Sequence, residues 1–280
     1  MNMSFGPNPW HQTNWDFRAA FNFIFGGAGS GLLVAAALSG PAGNALRVEI
    51  LLGLALIGAG LTSVWFEIGR PLRAMHVGFN PFTSWMTRES YAAGAVFVLG
   101  LAAAWRDSQA LAQAAALFAL LFAYCQGRLL QAAKGIPAWR VAPLTWLIFT
   151  TALAEGAGLC VALAILFDAL GKGALGYFAL ALLARALAWS SYRSAAAKCV
   201  ARPALVALDR AGKIVLQFGT LAPIALVLAA WFAPEFARII VPLAGLAALA
   251  SGWQFKFVLV TRAAYNQGFA LPHLPVRGTR

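Results

Sequence analysis

Charge is what this sequence lacks. Of its 280 residues only 11% are Asp, Glu, Lys or Arg, and only 9 are acidic. A water-soluble domain carries about 25% charged residues, because its surface has to be hydrated. Hydrophobic residues reach 61% here before the 27 glycines are counted. No soluble globule of this length has an interior large enough to hold so much apolar surface. The composition excludes a soluble enzyme, a disordered chain and a secreted disulfide scaffold, and it requires lipid as the solvent.

Cysteine and histidine are scarce too. Cys125, Cys160 and Cys199 stand alone, with no CxxC among them. No metal site and no iron–sulfur cluster is therefore expected in this chain. His11, His76 and His273 all lie outside the long apolar runs. A haem inside a helical bundle takes axial histidines at membrane depth, so no haem is expected either. The start, from Met1 to Asp16, is polar and aromatic. It has neither the basic region nor the small-residue cleavage site of a removable signal peptide.

Long apolar runs dominate what remains. A bilayer core of ~30 Å needs about 20 apolar residues per helix. Eight segments meet that measure: 17–39, 45–68, 89–106, 108–132, 142–168, 173–196, 210–233 and 236–262. They are too long for barrel strands, so the chain reads as an all-α integral membrane protein with eight transmembrane helices. Gly27-Ala28-Gly29 returns as Gly156-Ala157-Gly158. That repeat suggests two four-helix bundles, 1–132 and 133–262, followed by a tail at 263–280. Sixteen of the 21 lysines and arginines fall on the face that carries both termini, four on the other face, and Arg185 within a span. By the positive-inside rule both termini are expected in the cytoplasm. The net charge of +12 is thus a membrane-orientation charge, spread over separated segments, and no nucleic-acid partner is expected.

Chemistry concentrates between the second and third segments. Trp65-Phe66-Glu67-Ile68-Gly69-Arg70-Pro71-Leu72-Arg73 leads through His76 to Thr83-Ser84-Trp85-Met86-Thr87-Arg88-Glu89-Ser90. Glu67 ends one helix and Glu89 begins the next, so both can face one interfacial pocket around the loop 69–88. A carboxyl in such a pocket can exchange protons near neutral pH. A quinone suits these residues, since its carbonyl oxygens accept hydrogen bonds, its reduction takes up protons and its ring favours aromatic neighbours. Glu67, Arg70, His76, Trp85 and Glu89 are the candidate quinone and proton-transfer residues. The alternatives are plainer: Arg70, Arg73 and Arg88 as interfacial anchors, Glu89 as a helix N-terminal acid, and the tryptophans as an interfacial belt. Glu155 and Arg185 both fall near mid-bilayer, where an unpaired charge costs ~2.5–3.5 kcal/mol. They are expected to pair with each other, or else to form a proton relay. Glu49 is a weaker relay candidate.

These residues resemble a known family. Gly26-Gly27-Ala28-Gly29-Ser30-Gly31, Gly69-Arg70-Pro71 and Thr83-Ser84-Trp85-Met86-Thr87-Arg88-Glu89 look like the membrane-anchor subunits of dimethyl sulfoxide reductase. Those subunits lie within the wider NrfD/polysulfide-reductase superfamily. Inside it the chain is most similar to the membrane subunits of phenylacetyl-CoA:acceptor oxidoreductases. The resemblance implies an eight-helix anchor without haem that binds a ferredoxin-like iron–sulfur subunit. Through that subunit it would connect to a molybdopterin catalytic subunit and exchange electrons with the quinone pool in a bacterial or archaeal cytoplasmic membrane. Glu89 matches the family's quinol-site glutamate. Glu67 stands where the family has a histidine, which alters the proton chemistry but not the place of the pocket. The expected function is therefore that of a quinone-binding anchor of a molybdenum/iron–sulfur complex, inactive alone. A secondary transporter or a purely structural tether are the alternatives.

Overall fold

Asp16 starts the first helix: its carboxylate accepts from the Arg18 backbone N–H at 2.8 Å, satisfying one of the donors that a helix N-terminus leaves free. Helix α1 (Phe17–Ser39) runs until Gly40 takes the left-handed conformation and returns its N–H to Ala36. Helix α2 (Asn44–Trp65) follows. Ser84 and Ser108 cap α3 (Trp85–Arg106) and α4 (Gln109–Ala132) through the N–H groups of Thr87 and Leu111. Asp107, between them, is held at positive φ and accepts from the Gly43 N–H with both carboxylate oxygens, 2.9 and 3.1 Å away. One side chain thus ties two turns together on the same end of the bundle.

The computed structural model describes residues 6, 8–67, 76–167 and 170–268. After a short α5 (Pro137–Arg140) come α6 (Leu144–Ala164), α7 (Lys172–Ala196), α8 (Arg202–Leu216), α9 (Ala222–Phe232) and α10 (Ala237–Thr261). A π-helical turn, Gln217–Leu221, joins α8 to α9. The protein is an all-α integral membrane protein, and no strand occurs among the described residues. Among the described residues, seven helical stretches are long and apolar enough to cross a bilayer. The other expected span forms α3, 22 residues long, or about 33 Å at the α-helical rise. It is less apolar, because Thr87, Arg88, Glu89 and Ser90 occupy its first two turns.

Boundaries shift by a few residues, as where α3 begins at Trp85 rather than 89, and one shifts by about two turns. The segment expected at 210–233 begins at Arg202, with Pro203 in the first turn of α8. Its first residues are too polar to extend an apolar run. They still form a helix because Ala204, Leu208, Ala211 and Val215 fall on one buried face, at the spacing of an amphipathic helix.

Helix α1 occupies the centre, against α2, α4, α6 and α10. In lipid, helices gain by backbone approach and packing rather than by escaping water. Small residues supply that approach. A methyl on Gly31 would meet the Ala152 carbonyl of α6, and one on Gly156 would meet the Gly31 backbone. Gly158 and Gly245 meet in the same way between α6 and α10. Neighbours α1–α4 close one ring of helices, α6–α10 close another, and α1, α4, α6 and α10 join the two.

Candidate functional site

At one end of the first ring the helices diverge around a cavity of about 460 Å³. Its walls include Asn14, Trp15, Asn22 and Phe23 before and within α1, Trp65 and Glu67 at the end of α2, Met86, Glu89 and Ser90 of α3, and Leu129 of α4. The chain before α1 builds the outer wall. Gln12 accepts from the N–H groups of Asn14 and Trp15 at 2.8 Å each. The turn is pinned further by the Gln12 N–H to the Ala264 carbonyl, 2.9 Å, and by an isolated bridge between His11 and Tyr265. Trp15 is thereby laid across Trp139 and Phe23, at ring separations of 4.9 and 6.1 Å.

The motif beginning at Thr83 divides its side chains between two tasks. Thr87 donates its hydroxyl to Val77, Tyr91 to Gly78 at 2.5 Å, and Arg88 to the carbonyls of Pro81 and Phe82 at 2.7 and 2.6 Å. These bonds stitch the incoming loop to α3. Glu89 turns the other way and is almost wholly buried, 3% exposed. The side chains of Asn22 and Gln126 lie beside its carboxyl, and Gln126 Nε2 donates to the Asn22 carbonyl at 2.9 Å. One carboxyl oxygen of Glu89 and the amide oxygens of Asn22 and Gln126 have no partner. Buried polar atoms are nearly always satisfied. Asn22 and Glu89 line the cavity and offer this capacity to whatever enters it, while Gln126 is buried beside them outside the lining.

Glu67 stands at the mouth. Arg18 of α1 lies near it: the guanidinium pairs with Asp16 at 2.9 Å and donates to the carbonyl of the neighbouring Phe66 at 2.9 Å. Partial burial, with Asp16 nearby, pushes the Glu67 carboxyl above its ordinary range, and Arg18 only partly offsets this. The Asp16 carboxyl, hydrogen-bonded by Arg18, is held below its ordinary range.

Of the five expected site residues, then, Glu67 and Glu89 share this cavity. His76 is exposed, its ring against Phe79 at 5.7 Å, and it is not part of the lining. Trp85 faces a different cavity, beside Arg128. Arg70, like Arg73, lies outside the described residues.

The buried charges pair differently from expectation. Glu155 does not bond to Arg185; its partner is Lys256 of α10, with Nζ 2.6 Å from Oε2 and both side chains fully buried. Arg185 instead donates to the carbonyls of Ala248, at 3.0 Å, and Gly219. Glu49, 2% exposed, has both carboxylate oxygens 3.8 Å from the Cys160 thiol.

A family model described as DMSO reductase anchor subunit (DmsC) matches residues 31–245. The chain belongs to the DMSO reductase anchor subunit family. No curated relative matches it. The stretch shared with other anchor subunits takes in Glu67, Glu89, Gln126, Glu155 and Arg185, and it stops short of Trp15, Asn22 and Lys256.

Three residues of this anchor subunit escaped the sequence reading, and two had left a signal. Asn22 and Gln126 are polar side chains inside runs of apolar residues, and a polar group in a spanning helix is expensive unless it faces the bundle interior. A search confined to ionisable residues passes over them. Trp15 precedes the first span and has no local pattern to mark it; only the fold of the chain ends brings it to the cavity.

Proposed function

We propose that the cavity between α1, α2, α3 and α4 binds a quinone headgroup, and that this chain links the quinone pool to an iron–sulfur subunit and a molybdopterin catalytic subunit. The observation that carries the reading is the buried Glu89 carboxyl, with an unpartnered oxygen, set beside the Asn22 amide in an aromatic-walled cavity at one end of the helices. A quinone offers two carbonyl oxygens on a flat ring. Asn22 and protonated Glu89 can donate to an oxygen, while Trp15, Phe23 and Trp65 supply apolar and aromatic walls. Reduction adds two electrons and two protons, and oxidation of the quinol returns them. The electrons pass to or from the nearest cluster of the partner. Glu89 is the proton donor and acceptor at the ring, and Glu67 exchanges protons between the cavity mouth and water.

Both termini and the cavity are assigned to the cytoplasmic side by the excess of lysine and arginine there. The partner subunits dock on that side, which suits an internal substrate such as a CoA thioester. The similarity to phenylacetyl-CoA:acceptor oxidoreductases rests on the motifs around residues 10–35 and 65–90.

The test uses the assembled complex. Glu89→Gln keeps the shape of the side chain and removes its acid–base chemistry. It should leave assembly and dye-linked activity of the catalytic partner intact while lowering quinone-linked turnover tenfold or more, equivalent to ~1.4 kcal/mol of barrier. Full quinone-linked rates in both Glu89→Gln and Glu67→Gln would reduce the chain to a tether.

A further inference from the structure

A second cavity, of about 550 Å³, opens between the start of α3, the end of α4 and α5. Its lining is Trp85, Arg128, Gln131, Ala132, Lys134 and Arg140: three cations and no carboxylate. None of the three cations makes an ion pair among the described residues. Arg140 donates to the Lys134 backbone carbonyl at 3.1 Å, and both residues line the cavity. Arg128 is oriented by Trp85, its guanidinium 4.7 Å from the ring centroid, and its Nε is buried without a partner. Arg88 lies 4.2 Å from the same ring but is committed to the loop carbonyls. A concentration of positive charge with an unused, pre-oriented donor calls for an anion.

The surroundings say which anion. An aromatic series leaves this cavity along the helices: Trp85 to Tyr124 at 5.9 Å, Tyr124 to Trp146 at 5.8 Å, and Trp146 to Phe149 at 5.9 Å. Tyr124 lies two turns before the end of α4, and Trp146, in the first turn of the spanning helix α6, is 57% exposed and leaves an open aromatic face beside the cavity. A free anion or a soluble protein has no use for that stripe. A molecule with a phosphate at one end and acyl chains at the other uses both. Basic pockets between spanning helices at the interfacial level suit such headgroups.

We propose that this groove binds an anionic phospholipid, its phosphate held by Arg128, Lys134 and Arg140 and its acyl chains lying along Tyr124, Trp146 and Phe149. The site is separate from the quinone cavity, and it stands whether or not that assignment does.

The full chain, purified in detergent, would be titrated with phosphatidylglycerol carrying brominated acyl chains, and the quenching of Trp85 taken as the difference from Trp85→Phe. Saturable quenching is expected with this lipid and not with brominated phosphatidylcholine. Arg128→Gln should move the midpoint about fivefold, the effect of one interfacial cation. If Arg128→Gln does not fold, the pair Lys134→Gln and Arg140→Gln, both at exposed positions, should produce a shift at least as large. Equal quenching by the choline lipid, or unshifted midpoints in the variants, would make the groove ordinary lipid-facing surface. Displacement of the lipid by inorganic phosphate would make it a site for free anions, and displacement by the partner subunits would make it a protein docking surface. Any of these results overturns the proposal.

Discussion

Lys256 and Glu155 form a buried ion pair across α10 and α6, 2.6 Å apart, and α1 leaves room for it at Gly27, where a methyl would strike the lysine ammonium. The ammonium bonds to Oε2, and the other carboxylate oxygen, Oε1, has no partner among the described residues. Breaking a buried pair by removing one partner typically costs ~3–5 kcal/mol, because the other charge is stranded, whereas exchanging both for apolar residues is often neutral. Lys256→Met should therefore lower the melting temperature of the purified chain sharply. Lys256→Met with Glu155→Leu should recover most of the loss, and Arg185→Met with Glu155→Leu should not. Equal losses in the single and double variants would show that the pairing contributes nothing.

The approach of α1 to α6 makes a second prediction. Gly31→Ala and Gly156→Ala each place a methyl against backbone that cannot move aside. Overpacking of this kind costs ~1–3 kcal/mol. Both variants should yield less folded protein, read by size-exclusion chromatography in detergent. Gly94→Ala and Gly171→Ala, with open space at the new methyl, serve as controls and should behave as the parent does.

How much of this could be read beforehand follows from the physics of each feature. Apolar length marked the spans, since α1 spans 17–39 as expected. The start of α8 was missed because an amphipathic turn is invisible to a measure of continuous apolarity. Glu67 and Glu89 were legible as neighbours because they flank one connection. The partner of Glu155 was not. Helical depth placed Arg185 level with it and Lys256 nearer the end of α10, yet a lysine stem is long enough to carry its charge well away from its own backbone. Trp85 shares with Glu89 the face of α3 that meets α4, but it lies one turn nearer the helix end, against Tyr124 and Arg128 and outside the Glu89 cavity.

Glu67 gives a pH dependence with a definite sign. Its carboxyl holds a proton more tightly in the folded chain than the ordinary value of about 4.3 allows. Stabilisation from the protonated form is therefore complete below that ordinary value and is lost as pH rises through the raised one. Melting temperatures measured upward from about pH 4 should fall more steeply for the parent than for Glu67→Gln, which cannot ionise. Parallel curves for the two would show that the carboxyl is not held in its protonated form by the fold.

Arg185 carries the last prediction, through Pro223. In a regular helix the Gly219 carbonyl would accept from the N–H four residues on, but that residue is Pro223, which has none. The chain widens into the π-helical turn Gln217–Leu221, with the Ala222 N–H bonding back to Gln217. The Gly219 carbonyl, freed in this way, accepts from Arg185. Arg185 also reaches Ala248 of α10, so one planar guanidinium ties α7 to both segments. Arg185→Met leaves the Gly219 oxygen buried without a donor, at a cost of ~1–3 kcal/mol. Arg185→Lys should fall short of the parent too, because an ammonium lacks the fixed fork that serves two separated carbonyls. Pro223→Ala restores a backbone N–H at the position where the helix would normally supply one. Combined with Arg185→Met it should raise the melting temperature above that of Arg185→Met alone, although Pro223→Ala in the parent has no free carbonyl to satisfy. If the proline replacement helps equally in both backgrounds, the arginine is not standing in for the missing helical donor.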